Sequence, residues 1–109
     1  MPVVRTIEEL PSRRAPGYTE TVCAGTEVFG PEVPVRVRRI VVEPGATAPC
    51  DARGEEVMAY VAAGSGTLEL GAERHSLERE STAWIVPGPF QFTAGGEGLE
   101  VLVVEAPSS

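Results

Sequence analysis

Hydrophobic and polar positions along this 109-residue chain alternate in short runs separated by glycine and proline, which is typical of β-strands and turns. The longest strand signal is "VPVRVRRIVV", in which Val35 and Val37 face one side. Arg36 and Arg38 face the other side, and an apolar run from residue 40 to residue 42 follows. The pattern predicts an all-β chain of about eight to ten short strands, as a sandwich or a barrel.

Glycines divide the second half of the chain into further predicted strands. The stretch "EVMAYVAAGSGTLELGAERHSL" predicts three strands, with tight turns at residues 64–66 and at Gly71. Three more strands are predicted in "STAWIV", "PFQFTA" and "GLEVLVVEA", with "GGEG" as the turn before the last strand.

The first 17 residues differ from the rest and predict an N-terminal arm. Thr6 and Glu9 have the spacing of a capping box, which predicts one helical turn before Pro11. The β pattern starts at Tyr18. We therefore divide the chain into an arm, residues 1–17, and a single β domain, residues 18–106.

Charge and composition exclude several functions. The net charge of −7 repels phosphate backbones, so we expect no nucleic-acid partner. All nine basic residues are arginine, which excludes Schiff-base chemistry on a lysine. Two cysteines, Cys23 and Cys50, do not make a disulfide framework. The N-terminus has no apolar signal region and no run is long enough to span a membrane, so we expect a cytoplasmic protein with free thiols.

One stretch, "VEPGATAPCDARGEEVMAYVAAGSG", resembles the first motif of the small single-domain cupins, a jelly-roll barrel family. That motif is a glycine, five residues, His-x-His, three or four residues, a glutamate, six residues and a glycine. With Gly45 as the first glycine, Asp51 and Arg53 stand at the two histidines. Counting back from Gly64 puts Val57 at the glutamate.

The second cupin motif is matched in spacing but not in its ligands. "LERES" stands at the family's Leu-x-x-Gly-Asp, so that Glu80 replaces the glycine and Val86 the following proline. Gly88 is kept, and Gln91 stands at the histidine. The resemblance implies a cupin-like jelly-roll β-barrel whose four metal ligands have been replaced.

A second alignment of the first motif stays open. If "GEEV" is the anchor, Cys50 and Ala52 take the histidine positions and Glu56 takes the glutamate, with a bulge before Gly64. The choice matters because a slip of one residue exchanges the side chains that face the cavity. We prefer the first alignment, which needs no insertion.

Neither alignment supplies a metal site. A first-row metal in a barrel needs three or four imidazole or carboxylate ligands, and the chain has one histidine, His75. His75 lies on a predicted strand that the family does not use for ligands, so we interpret it as a surface residue. We expect no metal and no cofactor.

The candidate catalytic residues are Asp51 and Arg53, which are two apart on one strand. Asp51 is the candidate general base, and Arg53 would hold an anionic or carbonyl oxygen. The alternative is a solvated ion pair at the cavity mouth, worth roughly 0–1 kcal/mol. Further candidates for binding a ligand lie in or near the two motifs: Gln91, Val57, Tyr60, Trp84, Met58 and Phe90. The aromatic residues among these, and Met58 with them, are more typical of a core, although one or two of them could line a cavity.

Two functions follow from this interpretation. The first is a metal-independent isomerase, cyclase or lyase acting on a small organic metabolite, as in the polyketide-type biosynthetic pathways where some cupins act. The second is a non-catalytic cupin that binds a small molecule for sensing, carriage or resistance. The resemblance also implies a homodimer, and we expect the "VRVRRIVV" segment and the N-terminal arm to cover a strand edge.

Overall fold

A computed structural model of the chain describes residues 4–30, 35–52, 56–85 and 88–106. Within these residues it contains one 3₁₀ turn, Ile7–Glu9, one short α-helix (α1, Thr26–Phe29), and eight strands. The strands are β1 (Ser12–Ala15), β2 (Tyr18–Ala24), β3 (Arg36–Val42), β4 (Thr47–Ala52), β5 (Glu56–Leu70), β6 (Glu73–Leu77), β7 (Thr82–Ile85) and β8 (Gly88–Ala106). The predicted helical turn is confirmed: the Glu9 amide donates to the Thr6 carbonyl.

All strand pairs are antiparallel and belong to one sheet of order β1-β2-β3-β8-β5-β6. Strand β4 pairs with the first part of β8, and β7 pairs with the first part of β5. Because β8 pairs with β4 at its start and with β3 at its end, the long strands bring the two halves of the sheet around a common core. The all-β prediction is confirmed.

The core is made by residues that alternate along the central strands. Phe92, in the first part of β8, has no exposed surface, and Phe90 stacks edge-to-face on it with ring centroids 5.6 Å apart. Such pairs add about 0.5–1.5 kcal/mol beyond the area they bury. The largest fully buried side chains are Phe92, Ile40, Ile85, Val42, Val57, Val61, Val101 and Val103.

The predicted turn at residues 64–66 is wrong, and so is the turn at "GGEG". Strand β5 runs through Gly64 and Gly66, and β8 runs through residues 95–98, with shifts in their pairing. A Cβ atom on Gly64 would lie 2.0 Å from the Gly98 carbonyl oxygen, and one on Gly66 would lie 2.1 Å from that of Thr93. These two glycines therefore permit close backbone contact between bent strands. The turn at Gly71 is confirmed.

Glu80 occupies a backbone conformation that suits glycine. Its φ of 69° lies in the left-handed region, which costs an ordinary residue about 1–2 kcal/mol. Three hydrogen bonds fix the turn: the Glu78 amide donates to the Ser81 hydroxyl oxygen, the Ser81 amide donates to the Glu78 carbonyl, and the Glu80 amide donates to the Val61 carbonyl. This conformation agrees with the sequence alignment, which put Glu80 at a glycine of the second motif.

The predicted arm, residues 1–17, contains β1, which pairs with β2 and forms one edge of the sheet. Strand β3 is hydrogen-bonded to β2 on one side and to β8 on the other, so neither of its edges is open to a partner. Within the described parts of the chain, no helix is long and apolar enough to cross a membrane.

Candidate functional site

A cleft of about 770 Å³ opens between β1, β2 and β3 on one side and parts of β4 and β8 on the other. We call it the cleft. Its charged lining residues are Arg13, Glu20, Arg36, Arg38 and Glu105. Its neutral lining residues are Pro11, Ser12, Val22, Pro49 and Cys50. A volume of this size is typical of small-molecule sites.

Arg38 lies at the centre of the charged group and is 7% exposed. Its Nη1 donates to Glu20 Oε2 over 3.2 Å, and its Nε lies 2.5 Å from Glu105 Oε1. The Nε contact is an ion pair. Arg38 therefore connects two carboxylates that come from strands on either side of β3.

Alternation explains why an arginine is buried here. Along β3, Arg38 shares a face with Ile40 and Val42, which are buried in the core. Glu105 follows Val101 and Val103 at the same spacing on β8. Each charged residue thus continues an inward-facing apolar series at the end where the core stops.

Two further arginines lie at the rim of the cleft. Arg13 Nη2 is 3.5 Å from Glu20 Oε2, and its side chain is 68% exposed. Arg36 faces Glu105 directly in the pairing of β3 with β8, and their closest charged atoms are 3.9 Å apart. Each carboxylate is therefore contacted by two guanidinium groups.

Cys50 reaches the same cleft from β4. Burial raises the pKa of its thiol to about 11, which keeps the sulfur protonated at neutral pH. A thiol in this state is a small apolar group and not a nucleophile. Burial also raises the pKa of Cys23, and both cysteines are free.

The structure describes the predicted catalytic pair only in part. Asp51 belongs to β4, where its pairing partner is Pro89, and Arg53 lies outside the described residues. Val57 is fully buried in the core, and its pairing partners on the neighbouring strands are Ile85 and Glu105. Cys50 and Val57 both face inward although they are seven residues apart. The roles of Asp51 and Arg53 stay predictions.

Three of the predicted ligand-binding residues lie outside the cleft. Met58, Tyr60 and Trp84 are 58%, 40% and 70% exposed on the outer face of the sheet. They border a shallow apolar depression of about 280 Å³. The sequence did not show this placement, because an aromatic residue in a strand is ordinarily a core residue.

Their arrangement forms a continuous apolar row across four strands. Trp84 on β7 pairs with Met58 on β5, Met58 pairs with Val104 on β8, and Val104 pairs with Val37 on β3. We call these four residues the apolar row. A row of this kind is a surface that a partner can cover.

The other two predicted ligand-binding residues also lie away from the cleft's charged lining. Phe90 is in the core, with Cys50 as its partner on β4. Gln91 is half-buried and hydrogen-bonds to Glu69, beside Thr93. The Thr93 hydroxyl donates to Glu69 over 2.7 Å and lowers the pKa of that carboxyl group. Gln91 thus belongs to a polar network on β5 and β8.

No group of three His, Cys, Asp or Glu residues that could hold a metal ion occurs in the described ranges. His75, the single histidine, is exposed on β6 and lies 3.3 Å from Glu73, as expected of a surface residue.

Sequence reasoning missed the residues that the structure brings together in the cleft. Arg36 and Arg38 were assigned to one strand face, but the face was not recognised as the inner one. The available signal was that Ile40 and Val42 continue it. The spacing of Glu20 and Glu105 could not predict that they line the same site, because they are distant in sequence. Their strands are brought together only by β3, which lies between them.

Known structures of similar shape identify the fold. A variant of oxalate decarboxylase from Bacillus subtilis superimposes with a TM-score of 0.81 at 19% identity over 96% of this chain. A cupin-2 domain protein from Rhodospirillum rubrum gives 0.75 at 16% identity over 98%. Ectoine synthase from P. lautus gives 0.78 at 13% identity over 96%.

The chain has the cupin fold. The predicted jelly-roll β-barrel is thereby confirmed, and the fold is one that includes enzymes. This chain covers 75% of the Rhodospirillum protein and 78% of the ectoine synthase, but only 29% of the oxalate decarboxylase chain. No family model and no curated protein sequence matches it.

Proposed function

We propose that this cupin-fold protein binds a small organic molecule in the cleft and does so without a metal ion. The observation that carries the proposal is Arg38, buried between Glu20 and Glu105 on the lining of a 770 Å³ opening. Burying charged groups is expensive, and apolar residues of similar size are often as stable or more so. A charged cluster at the end of an apolar barrel core is therefore more easily explained by ligand binding than by a contribution to the stability of the fold.

The lining also fits a small molecule in its mixture of chemistry. Val22, Pro11 and Pro49 supply apolar contact, and the charged residues supply a few oriented polar groups. Small-molecule sites usually combine the two in this way.

A screen with blocked variants tests the proposal. Thermal unfolding of the wild type is measured against a library of small metabolites, and the same compounds are tested on Cys50→Phe and Val22→Phe, which fill the cleft. Cys23→Phe is the matched control, since Cys23 is a half-buried thiol that does not line the cleft. Circular dichroism establishes that each variant is folded.

We expect some compounds to raise the midpoint temperature of unfolding of the wild type and of Cys23→Phe. The same compounds should have no effect on the two blocked variants. Stabilisation that persists in both blocked variants would place binding elsewhere and contradict the proposal. A library that shifts nothing would also count against it.

A second candidate function is catalysis on the bound molecule. It is favoured by Glu20 and Glu105, two largely buried carboxylates on the same lining, either of which could act as a general base. Oxalate decarboxylase and ectoine synthase, which share the fold, are enzymes by name. Once a ligand is known, the expected result is that Glu20→Gln or Glu105→Gln abolishes turnover while binding is retained.

Asp51 and Arg53 remain the catalytic residues predicted from the sequence. Loss of turnover in Asp51→Asn, with Glu20→Gln unaffected, would assign the base to Asp51 and not to the charged cluster. Absence of turnover in the wild type with every ligand that binds would leave binding as the function.

A further inference from the structure

The charges of the cleft differ in sign from the charge of the whole protein. Three guanidinium groups and two carboxylates line it, an excess of one positive charge among the described lining residues. The chain as a whole carries −7. A local positive site in an acidic protein concentrates anions at that place alone.

Both carboxylates are already compensated. Glu20 is contacted by Arg13 and Arg38, and Glu105 by Arg36 and Arg38. A cation that entered the cleft would therefore meet guanidinium groups beside each carboxylate. A neutral ligand would leave the positive excess uncompensated.

The arginines differ in how far they are exposed. Arg38 is buried and contacts both carboxylates, so it is part of the framework. The side chains of Arg13 and Arg36 are 68% and 37% exposed, so a ligand at the rim of the cleft can reach their guanidinium groups. A guanidinium matches a carboxylate with two parallel donors.

We propose that the ligand of the cleft is a small organic acid whose carboxylate binds Arg36 and Arg13 at the rim. Its compact apolar body contacts Val22, Pro11 and Pro49. This inference rests on the proposed function and specifies the class of ligand that the same cleft takes.

Three probes of equal size and different charge test the inference: benzoate, benzamide and benzylamine. Binding to the wild type, Arg36→Gln and Arg74→Gln is measured by titration, followed by ligand-observed NMR so that millimolar affinities are detected. Arg74 is the control because its exposed side chain contacts a glutamate, Glu69, but lies on β6 outside the cleft.

We expect benzoate to bind the wild type and Arg74→Gln equally. Arg36→Gln should lose roughly tenfold or more in affinity for benzoate, as expected for one charge-assisted contact. Benzamide and benzylamine should bind at least about tenfold more weakly than benzoate to the wild type, since they lack the charge that the arginines pair with.

Two results would overturn the inference directly: no saturable benzoate binding, or equal benzoate affinity in the wild type and Arg36→Gln. Benzamide or benzylamine binding as tightly as benzoate would also overturn it. If that binding were lost in Cys50→Phe, the cleft would still be a small-molecule site, and only the class of ligand would be wrong. Failure of the proposed function itself is read from the library screen on the blocked variants.

Discussion

The cleft and the apolar row share strands β3 and β8 but lie on opposite faces of the sheet and have opposite polarity. On β3, Arg36 and Arg38 face inward, and Val37 between them faces outward. On β8, Glu105 is buried, and Val104 before it lies in the outer row. Charged residues inside and large apolar residues outside are the two exceptions that carry information about a protein surface.

The rest of the sheet shows that this inversion is local. Further along β3, Ile40 and Val42 are buried, and Arg39 faces outward, bound through two hydrogen bonds to Glu100. Here the ordinary arrangement holds. The inverted polarity is therefore confined to one half of the sheet, where we propose that the inner face binds a ligand and expect the outer face to contact a partner.

The largest effect is expected from removing the buried arginine. Arg38→Met leaves Glu20 and Glu105 in a poorly hydrated site with one cationic partner fewer each, so the free energy of unfolding should fall by about 3–5 kcal/mol. Arg39→Met, the next residue, removes a half-exposed pair and should cost about 0–1 kcal/mol. Urea denaturation of both variants measures the difference.

Equal losses in the two variants would show that the inner and outer ion pairs are equivalent, and the comparison would fail. A triple variant, Glu20→Leu, Arg38→Met and Glu105→Leu, sharpens the test. If the charges serve a ligand rather than the fold, the triple variant should be more stable than Arg38→Met alone.

The pH dependence of stability gives an intermediate effect. Burial raises the pKa of Cys50 from about 9 to about 11, so the folded state favours the neutral thiol. Stability from this group is fully present below about pH 9 and is lost as the pH rises toward 11. The loss should reach about 2–3 kcal/mol, at 1.36 kcal/mol per pKa unit.

The measurement compares the wild type with Cys50→Ala by urea denaturation between neutral pH and alkaline pH. The wild type should lose more stability than the variant over that range, because tyrosine titration is common to both. Parallel curves would mean that Cys50 is open to water, and the inner wall of the cleft would then be less enclosed than described.

The smallest effect on stability is expected in the apolar row. Met58 is 58% exposed, so Met58→Lys should change the unfolding free energy of the monomer by no more than about 0.5 kcal/mol. The homodimer predicted from the sequence stays a prediction, and the apolar row is the surface we expect it to use. Analytical ultracentrifugation should then show a dimer for the wild type and a monomer for Met58→Lys.

Glu73→Lys is the matched control, because it introduces the same lysine on an exposed position of β6, outside the row. Dissociation in both variants would mean that charge alone breaks the dimer. A wild type that is monomeric at every concentration would show that the apolar row is not a dimer interface.

The sequence predicted the fold well because the fold depends on local alternation and turns. The strand at residues 36–42 and the turn at Gly71 were read from neighbouring residues. Two predicted glycine turns were wrong because Gly64 and Gly66 are needed for contact with a strand distant in sequence. A glycine has the same letter whether it turns the chain or admits another backbone.

The site was harder to predict because it is assembled from distant strands. Glu20 on β2 and Glu105 on β8 are brought to the same cleft only because β3 lies between these two strands. Motif spacing directed attention to Asp51 and Gln91, which stand at the positions that the sequence resemblance assigns to histidines. That spacing gave no indication of the charged residues that the structure brings together in the cleft.

The most direct test of the account is to locate a small acid on the protein. A crystal of the protein grown with 4-bromobenzoate would place the bromine by its anomalous signal. We predict bromine in the cleft near Val22, with the carboxylate against Arg36. Bromine found only on the apolar row, against Met58 and Trp84, would contradict it and would make the outer face the binding surface.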